Sequence, residues 1–298
     1  PPYPLMYAPT DGIGPAQAAY MLEEELDDNA FAATLLHAAE QTSGSLKSTT
    51  NGWSFAAPGA ASELDSVTAA VVKKLVGDKG EFQASRSSVG DGKKLQSTVI
   101  ELHTKTAKWA TDSGNLSRSG VGCFGALAFG LAILVTGILI FKDPFHMSAI
   151  ALVPGLFVVG AVGAFGTGAS TKRTPAGRDL WSRVGGFRRV LSTPSSKDRF
   201  DFSGREELYT AYLPWAIAFG VADQWAAKFR AETGKEPPVP GSLNGGGYVG
   251  TNPGAYVDQV LRDFRATTDG AIAAYAATQS SSSSGGGGGG GGGFSGGG

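Results

Sequence analysis

Residues 120–141 read "GVGCFGALAFGLAILVTGILIF" and carry no charged side chain. A second apolar stretch, residues 147–171, reads "MSAIALVPGLFVVGAVGAFGTGAST" and follows after the short link 142–146. Because a bilayer core is about 30 Å thick, roughly 20 helical residues are needed to cross it. The fold class that we predict is therefore mainly α, built on a two-helix transmembrane hairpin.

Small residues recur at every fourth position in both predicted spans. Such stripes allow two helix backbones to approach closely. They would serve either packing within the hairpin or self-association of the chain into a homo-oligomer. The predicted helix-packing residues are Gly122, Ala126 and Gly130 in the first span, and Gly160, Ala164 and Gly168 in the second.

The basic residues around the spans predict an orientation in the membrane. The link 142–146 holds one lysine, whereas residues 172–199 hold eight Lys and Arg against two Asp. Because basic loops stay on the cytoplasmic side, we expect a multi-pass protein of the plasma membrane with most of the chain in the cytoplasm.

Charge and hydropathy divide the chain into four parts. Residues 1–118 carry 10 Lys and Arg against 14 Asp and Glu, whereas residues 171–298 carry 14 against 11. The predicted parts are a cytoplasmic helical, winged-helix-like domain (1–118), the transmembrane hairpin (119–171), a cytoplasmic basic amphipathic and helical domain (172–279) and a Ser/Gly-rich tail (280–298).

The N-terminal part shows helical periodicity in three places. Residues 14–40 predict two helices that are broken near Asp27–Asp28, and residues 62–75 and 93–109 predict two more. Between them, residues 46–57 ("LKSTTNGWSFAA") predict a hairpin that turns at Asn51–Gly52. Helices combined with a small hairpin favour a winged-helix-like unit.

A winged helix raises a second function, that of a membrane-tethered regulator that binds nucleic acid. Contacts with phosphates need a basic face. Because residues 1–118 have a formal net charge of 10 − 14 = −4, we expect no nucleic-acid partner.

Residues 175–191 ("PAGRDLWSRVGGFRRVL") predict an amphipathic helix whose apolar face holds Leu180, Val184, Phe187 and Leu191. Two interpretations stay open. The helix lies in the membrane interface, where its basic side chains reach anionic headgroups, or it is docked on its own domain. The predicted lipid-interface residues are Lys172, Arg173, Arg178, Trp181, Arg183, Arg188 and Arg189.

The C-terminal part continues with residues 206–229, which predict a buried helix kinked at Pro214 and a second helix. A loop and a last helix over residues 255–278 follow. The tail, residues 280–298, is either a flexible linker or a docking strap with Phe294 as its hydrophobic anchor.

Three motifs resemble the C-terminal region of the YciQ-like predicted membrane proteins, a bacterial family of unknown function. They are Gly186-Phe187-Arg188, the segment from Leu213 to Gly220 with Trp225 and Lys228-Phe229 after it, and the stretch "IGPAQAAYMLEEELDDNAFAATLLHAA". The resemblance implies a signal peptide, an extracytoplasmic β-rich domain and a further span ahead of Pro1. The family's Gly-Tyr-Leu after Ala-Thr-Leu-Leu is missing here.

The sequence predicts no catalytic, cofactor-binding or metal-ligating residues. "GVGCFG" matches a dinucleotide-binding pattern, but no strand precedes it and an apolar run follows. The three histidines and Cys123 lie far apart and lack metal-ligand spacing. We therefore expect a scaffold or assembly subunit that is not an enzyme and needs no cofactor, with anionic lipids, a second copy or an envelope protein as partners.

Overall fold

The computed structural model describes residues 4–59, 64–118, 171–193, 200–243 and 253–283. In these residues it has eight helices: α1 Pro15–Glu23, α2 Asn29–Gln41, α3 Ser66–Val76, α4 Val89–Asp112, α5 Pro175–Ser192, α6 Glu207–Ala218, α7 Ala222–Thr233 and α8 Pro253–Ser283. The strands are β1 Ser45–Thr49, β2 Gly52–Ala56, β3 Glu81–Ser85, β4 Leu116–Arg118 and β5 Thr171–Arg173. A 3-10 turn, Gly77–Lys79, follows α3.

The mainly helical class is confirmed, but the predicted transmembrane hairpin requires correction. Across the described ranges, none of the helices has the length and apolar character that crossing a bilayer demands. The long helix α4, for example, buries Leu95 and Leu102 but turns most of its lysines to solvent. Thr171, predicted to end the second span, lies in strand β5 instead, because it pairs with Arg118. The multi-pass topology therefore has no support in the described residues.

The rest of both predicted spans, residues 119–170, lies outside the described residues. So do the predicted helix-packing residues Gly122, Ala126, Gly130, Gly160, Ala164 and Gly168.

The predicted hairpin at Asn51–Gly52 is confirmed, since β1 and β2 pair antiparallel with Thr49 opposite Gly52. A third strand, β3, pairs with β2 and places Phe82 opposite Phe55. It follows α3, so the helix α3 is inserted between the second and third strands of one sheet. In chain order this part therefore reads α1–α2–β1–β2–α3–β3–α4, and its winged-helix-like character stays a prediction.

A second, two-stranded sheet joins residues on either side of the undescribed stretch 119–170. In it, Leu116 lies opposite Arg173 and Arg118 opposite Thr171. The hydroxyl of Thr174 donates to the Gly114 carbonyl at 2.7 Å. It also caps α5 by accepting from the Gly177 backbone N–H at 3.0 Å. The pairing of β4 with β5 therefore brings residues 116–118 and 171–173 together in one small sheet.

The core contains residues from both sides of that stretch. The Trp53 ring of β2 stacks on Phe264 of α8 with centroids 4.7 Å apart, and its Nε1 donates to the Thr268 hydroxyl at 3.2 Å. Helix α8 also packs against α4, where Gly92 lies close to the Ala271 backbone. These contacts position α8 across the three-stranded sheet and α4.

A buried polar junction connects the N-terminal helices to α6. The Nε2 atom of His37 in α2 lies 3.9 Å from Asp65 Oδ2. The His37 ring also packs against the Trp215 ring in a T-shaped arrangement, with the ring centroids 4.7 Å apart. Asp65 caps α3 by accepting from the backbone N–H groups of Val67 and Thr68. Burial lowers the pKa of His37, and the charge of Asp65 offsets only part of that effect.

We expect the free energy of unfolding to fall as the pH drops below about 6.5, the ordinary histidine pKa. Because the pKa of His37 is lowered in the folded state, the unfolded chain binds more protons in acid, so the stabilisation present above pH about 6.5 is lost on acidification. Urea unfolding between neutral and mildly acidic pH measures this slope.

The matched control for this prediction is the exposed His103. His37→Gln should flatten the pH dependence, whereas His103→Gln should leave it unchanged. A slope that disappears in His103→Gln and persists in His37→Gln would contradict the assignment.

Candidate lipid-facing surface

The basic residues at the β4–β5 sheet and the start of α5 form a continuous feature that we call the basic edge. It consists of Arg118, Lys172, Arg173, Arg178 and Trp181. Arg118, Lys172 and Arg178 are exposed, and neither ion pairs nor side-chain hydrogen bonds hold them within the described ranges. Arg118, Lys172 and Arg173 lie on the two paired strands β4 and β5.

Arg173 is the fixed member of the basic edge. Its guanidinium lies 5.5 Å from the centre of the Trp181 ring, a cation–π geometry. One of its nitrogens lies 3.2 Å from Glu24 Oε1 and donates to the Leu22 carbonyl at 3.1 Å. Arg173 therefore joins β5 to the end of α1, and it holds Trp181 beside the exposed cations.

The apolar face of α5 packs on the protein's own core. Leu180, Val184, Phe187 and Leu191 are all buried. The structure therefore shows that the apolar face is docked on the protein's own domain and does not lie in the membrane interface. Arg178 and Arg189 of the same helix are exposed.

Phe187 carries the central ring contact of this face, since its ring lies edge-on to Tyr212 of α6 at 5.2 Å. Its neighbour Gly186 approaches the Pro4 carbonyl so closely that a Cβ there would lie 1.9 Å from the oxygen. Gly186 therefore leaves room for the N-terminal segment at Pro4, and Phe187 packs α5 against α6.

The remaining predicted lipid-interface residues lie further along α5 and are not part of the basic edge. Arg183 pairs with Asp179 of the preceding turn at 2.9 Å. Arg188 donates to the Phe219 carbonyl at 3.5 Å. It also lines a small cavity of about 40 Å³ with the acidic residues Glu23, Glu25 and Asp27. Arg189 is exposed near the end of the helix.

A buried lysine orders the end of α5. Lys228 of α7 is 2% exposed and donates from Nζ to the Val190 carbonyl at 2.6 Å. A cation beside the last carbonyls of a helix is favourable, since these groups form the negative end of the helix dipole. Lys228 therefore fixes α5 against α7, and with it the direction in which the basic edge faces.

Two residues of this surface were missed by the sequence analysis. Arg118 belongs to the surface because β4 pairs with β5, and Glu24 because it binds Arg173. The sequence does hold one signal for Arg118, which is its position: it comes just before the first apolar stretch, and Lys172 comes just after the second. Phe294, the predicted tail anchor, lies outside the described residues.

Among the described residues, no group of three or more His, Cys, Asp or Glu side chains could hold a metal ion.

A family model described as "Predicted membrane protein (DUF2207) C-terminal domain" matches residues 4–229. All three motifs that carried the resemblance lie within these residues, so the match confirms the resemblance to the YciQ-like proteins. Comparisons with curated proteins and with solved structures gave no significant match.

Proposed function

Since the chain belongs to the family of predicted membrane proteins with the DUF2207 C-terminal domain, we propose that it is a non-catalytic scaffold or assembly subunit at the cytoplasmic face of the plasma membrane. Its proposed partners are anionic lipids and either a second copy of the chain or an envelope protein. Membership of the family supports the membrane location.

The observation that carries the lipid contact is the position of the basic edge. Arg118 and Lys172 lie on the paired strands that flank residues 119–170, a largely apolar part of the sequence. A lysine or arginine near an anionic bilayer contributes about 1 kcal/mol of attraction. Trp181 fits the same setting, because indole rings favour the headgroup level. The apolar face of α5 is not needed for this contact.

Replacing both Lys172 and Arg178 with glutamine is expected to weaken the retention of anionic lipid. Full-length protein is reconstituted in nanodiscs that contain phosphatidylcholine and phosphatidylglycerol, and native mass spectrometry counts the bound phosphatidylglycerol. The loss of two headgroup contacts of about 1 kcal/mol each predicts a roughly 30-fold lower relative affinity for phosphatidylglycerol at low salt, and a smaller difference at high salt.

The matched control replaces two other exposed lysines, Lys73 and Lys79 near the end of α3, with glutamine. This variant removes the same charge and should retain lipid as the unmodified chain does. Equal loss in both double variants would mean that only net charge matters, and unchanged retention in Lys172→Gln/Arg178→Gln would overturn the proposed lipid contact.

The nucleic-acid-binding regulator stays a prediction from the sequence, and no described feature favours it. Retention of the full chain on DNA that falls with salt would support it.

A further inference from the structure

A polar cleft of about 550 Å³ lies on the three-stranded sheet, between the β1–β2 turn, the end of β3 and the middle of α8. It is separate from the basic edge, and neither the family match nor the proposed function assigns it a role. Its lining is dominated by hydroxyl and amide groups: Ser48, Thr49, Thr50, Asn51, Ser85, Ser87 and Thr267. The Thr49 hydroxyl is buried and has no hydrogen-bond partner.

One wall of the cleft carries a positioned arginine. The side-chain stem of Arg86 lies against Gly270 of α8, where a Cβ would come within 2.5 Å of the arginine Cγ. Its backbone N–H donates to the Asn51 carbonyl at 3.3 Å, which ties the residue to the hairpin turn. The absence of a side chain at position 270 therefore lets Arg86 lie along α8.

The opposite charge comes from the same helix. Asp263 is half-buried and lies one turn before Thr267 and two turns before Gly270, so it shares their face of α8. Arg86 and Asp263 both line the cleft, which therefore presents one cationic and one anionic side chain.

Within the part of the chain that the structure describes, neither the exposed Arg86 nor the half-buried Asp263 has an ion-pair partner. Ion pairs and side-chain hydrogen bonds join other cations and anions there, but none involves Arg86 or Asp263. A carboxylate or a phosphate would satisfy only Arg86 and would be repelled by Asp263. A neutral sugar would form hydrogen bonds but would leave both charges unmatched.

We propose that this cleft binds a short peptide zwitterion, whose carboxylate Arg86 receives and whose ammonium group Asp263 receives. The hydroxyl and amide groups of the lining match the peptide N–H and carbonyl groups. No bond is made or broken in this step.

Isothermal titration of the detergent-solubilised full chain with glycylglycine and with L-alanyl-L-alanine tests the proposal. At least one of them is expected to bind with a Kd of about 1 mM or tighter. Two capped probes each lack one charge: N-acetylglycylglycine has no ammonium group and glycylglycinamide has no carboxylate. Each is expected to bind about tenfold more weakly than glycylglycine or its alanine analogue.

Variants assign each end of the ligand. In Arg86→Gln, glycylglycinamide should bind as well as glycylglycine, while the preference for glycylglycine over N-acetylglycylglycine should remain. In Asp263→Asn, N-acetylglycylglycine should bind as well as glycylglycine, while the preference for glycylglycine over glycylglycinamide should remain. Arg262→Gln, an exposed neighbour outside the cleft, should change neither. The proposal is overturned by equal binding of capped and uncapped probes, by no binding of either dipeptide, or by binding of inorganic phosphate or glucose as strong as that of the dipeptides.

Discussion

Replacing Trp225 with alanine is expected to lower the free energy of unfolding by about 3–5 kcal/mol, the range for large aromatic residues removed from a core. Trp225 of α7 has no exposed surface. Its ring lies among four others, at centroid distances of 5.1 Å from Phe200, 5.1 Å from Phe202, 6.0 Å from Tyr209 and 6.3 Å from Tyr212. The indole N–H also donates to the Tyr209 carbonyl at 3.1 Å. Alanine would leave a cavity and would remove the hydrogen bond to the Tyr209 carbonyl.

Chemical unfolding of the full chain in detergent, followed by circular dichroism, measures this loss. Trp109→Ala is the matched control, since Trp109 of α4 is only partly buried and should cost less. Trp225→Phe should recover part of the loss, because it keeps an aromatic ring in place. A loss for Trp225→Ala no larger than that of Trp109→Ala would contradict the packing of α6 and α7 described above.

Replacing Gly92 with alanine is expected to cost about 2 kcal/mol or more, through overpacking. A Cβ on Gly92 would lie 1.9 Å from the Ala271 carbonyl oxygen and 2.6 Å from its carbon. Because both are backbone atoms of α8, the two helices would have to move apart. Thermal unfolding of the variant measures the loss.

Gly90, two residues earlier in the same helix, provides the control. A Cβ there would meet only the Ser88 hydroxyl, at 4.0 Å. Gly90→Ala should leave stability unchanged or raise it by up to about 1 kcal/mol, since alanine favours the helix. Equal effects at both positions would mean that α4 and α8 do not make the close contact.

Local patterns were sufficient to predict most of the helices. The break near Asp27–Asp28 separates α1 from α2, and the turn at Asn51–Gly52 joins β1 to β2. Pro214 lies inside α6 as predicted. In each case the break, turn or helix follows from a short run of residues, because backbone preferences and periodicity act over one or two turns. Tertiary contacts then reinforce the same local structure.

The contacts between distant segments could not be predicted in the same way. The β4–β5 pair joins Arg118 to Thr171, and neither three-residue strand shows an alternating pattern. The approach of Gly92 to Ala271 depends on a helix far away in the sequence. The helix α8 also extends to Ser283, beyond the predicted end at residue 278.

The candidate surface was predicted in part. The sequence placed seven residues in one lipid-interface group, but the structure places only Lys172, Arg173, Arg178 and Trp181 at the basic edge. The others differ because specific partners hold them: Asp179 pairs with Arg183, and the Phe219 carbonyl accepts from Arg188. The Asp179–Arg183 pair lies within α5 at i,i+4 spacing, whereas the Phe219 carbonyl comes from outside α5 and could not be identified from charge periodicity along that helix.

The proposed role of this chain as an assembly subunit is tested most directly by the mass of the protein in a gentle extract of its native membrane. The full-length protein is extracted in mild detergent and weighed intact, and co-purifying components are identified. We expect a defined homo-oligomer or a stable complex with an envelope protein, with phosphatidylglycerol or another anionic lipid retained. A lone monomer that retains neither lipid nor partner would contradict it.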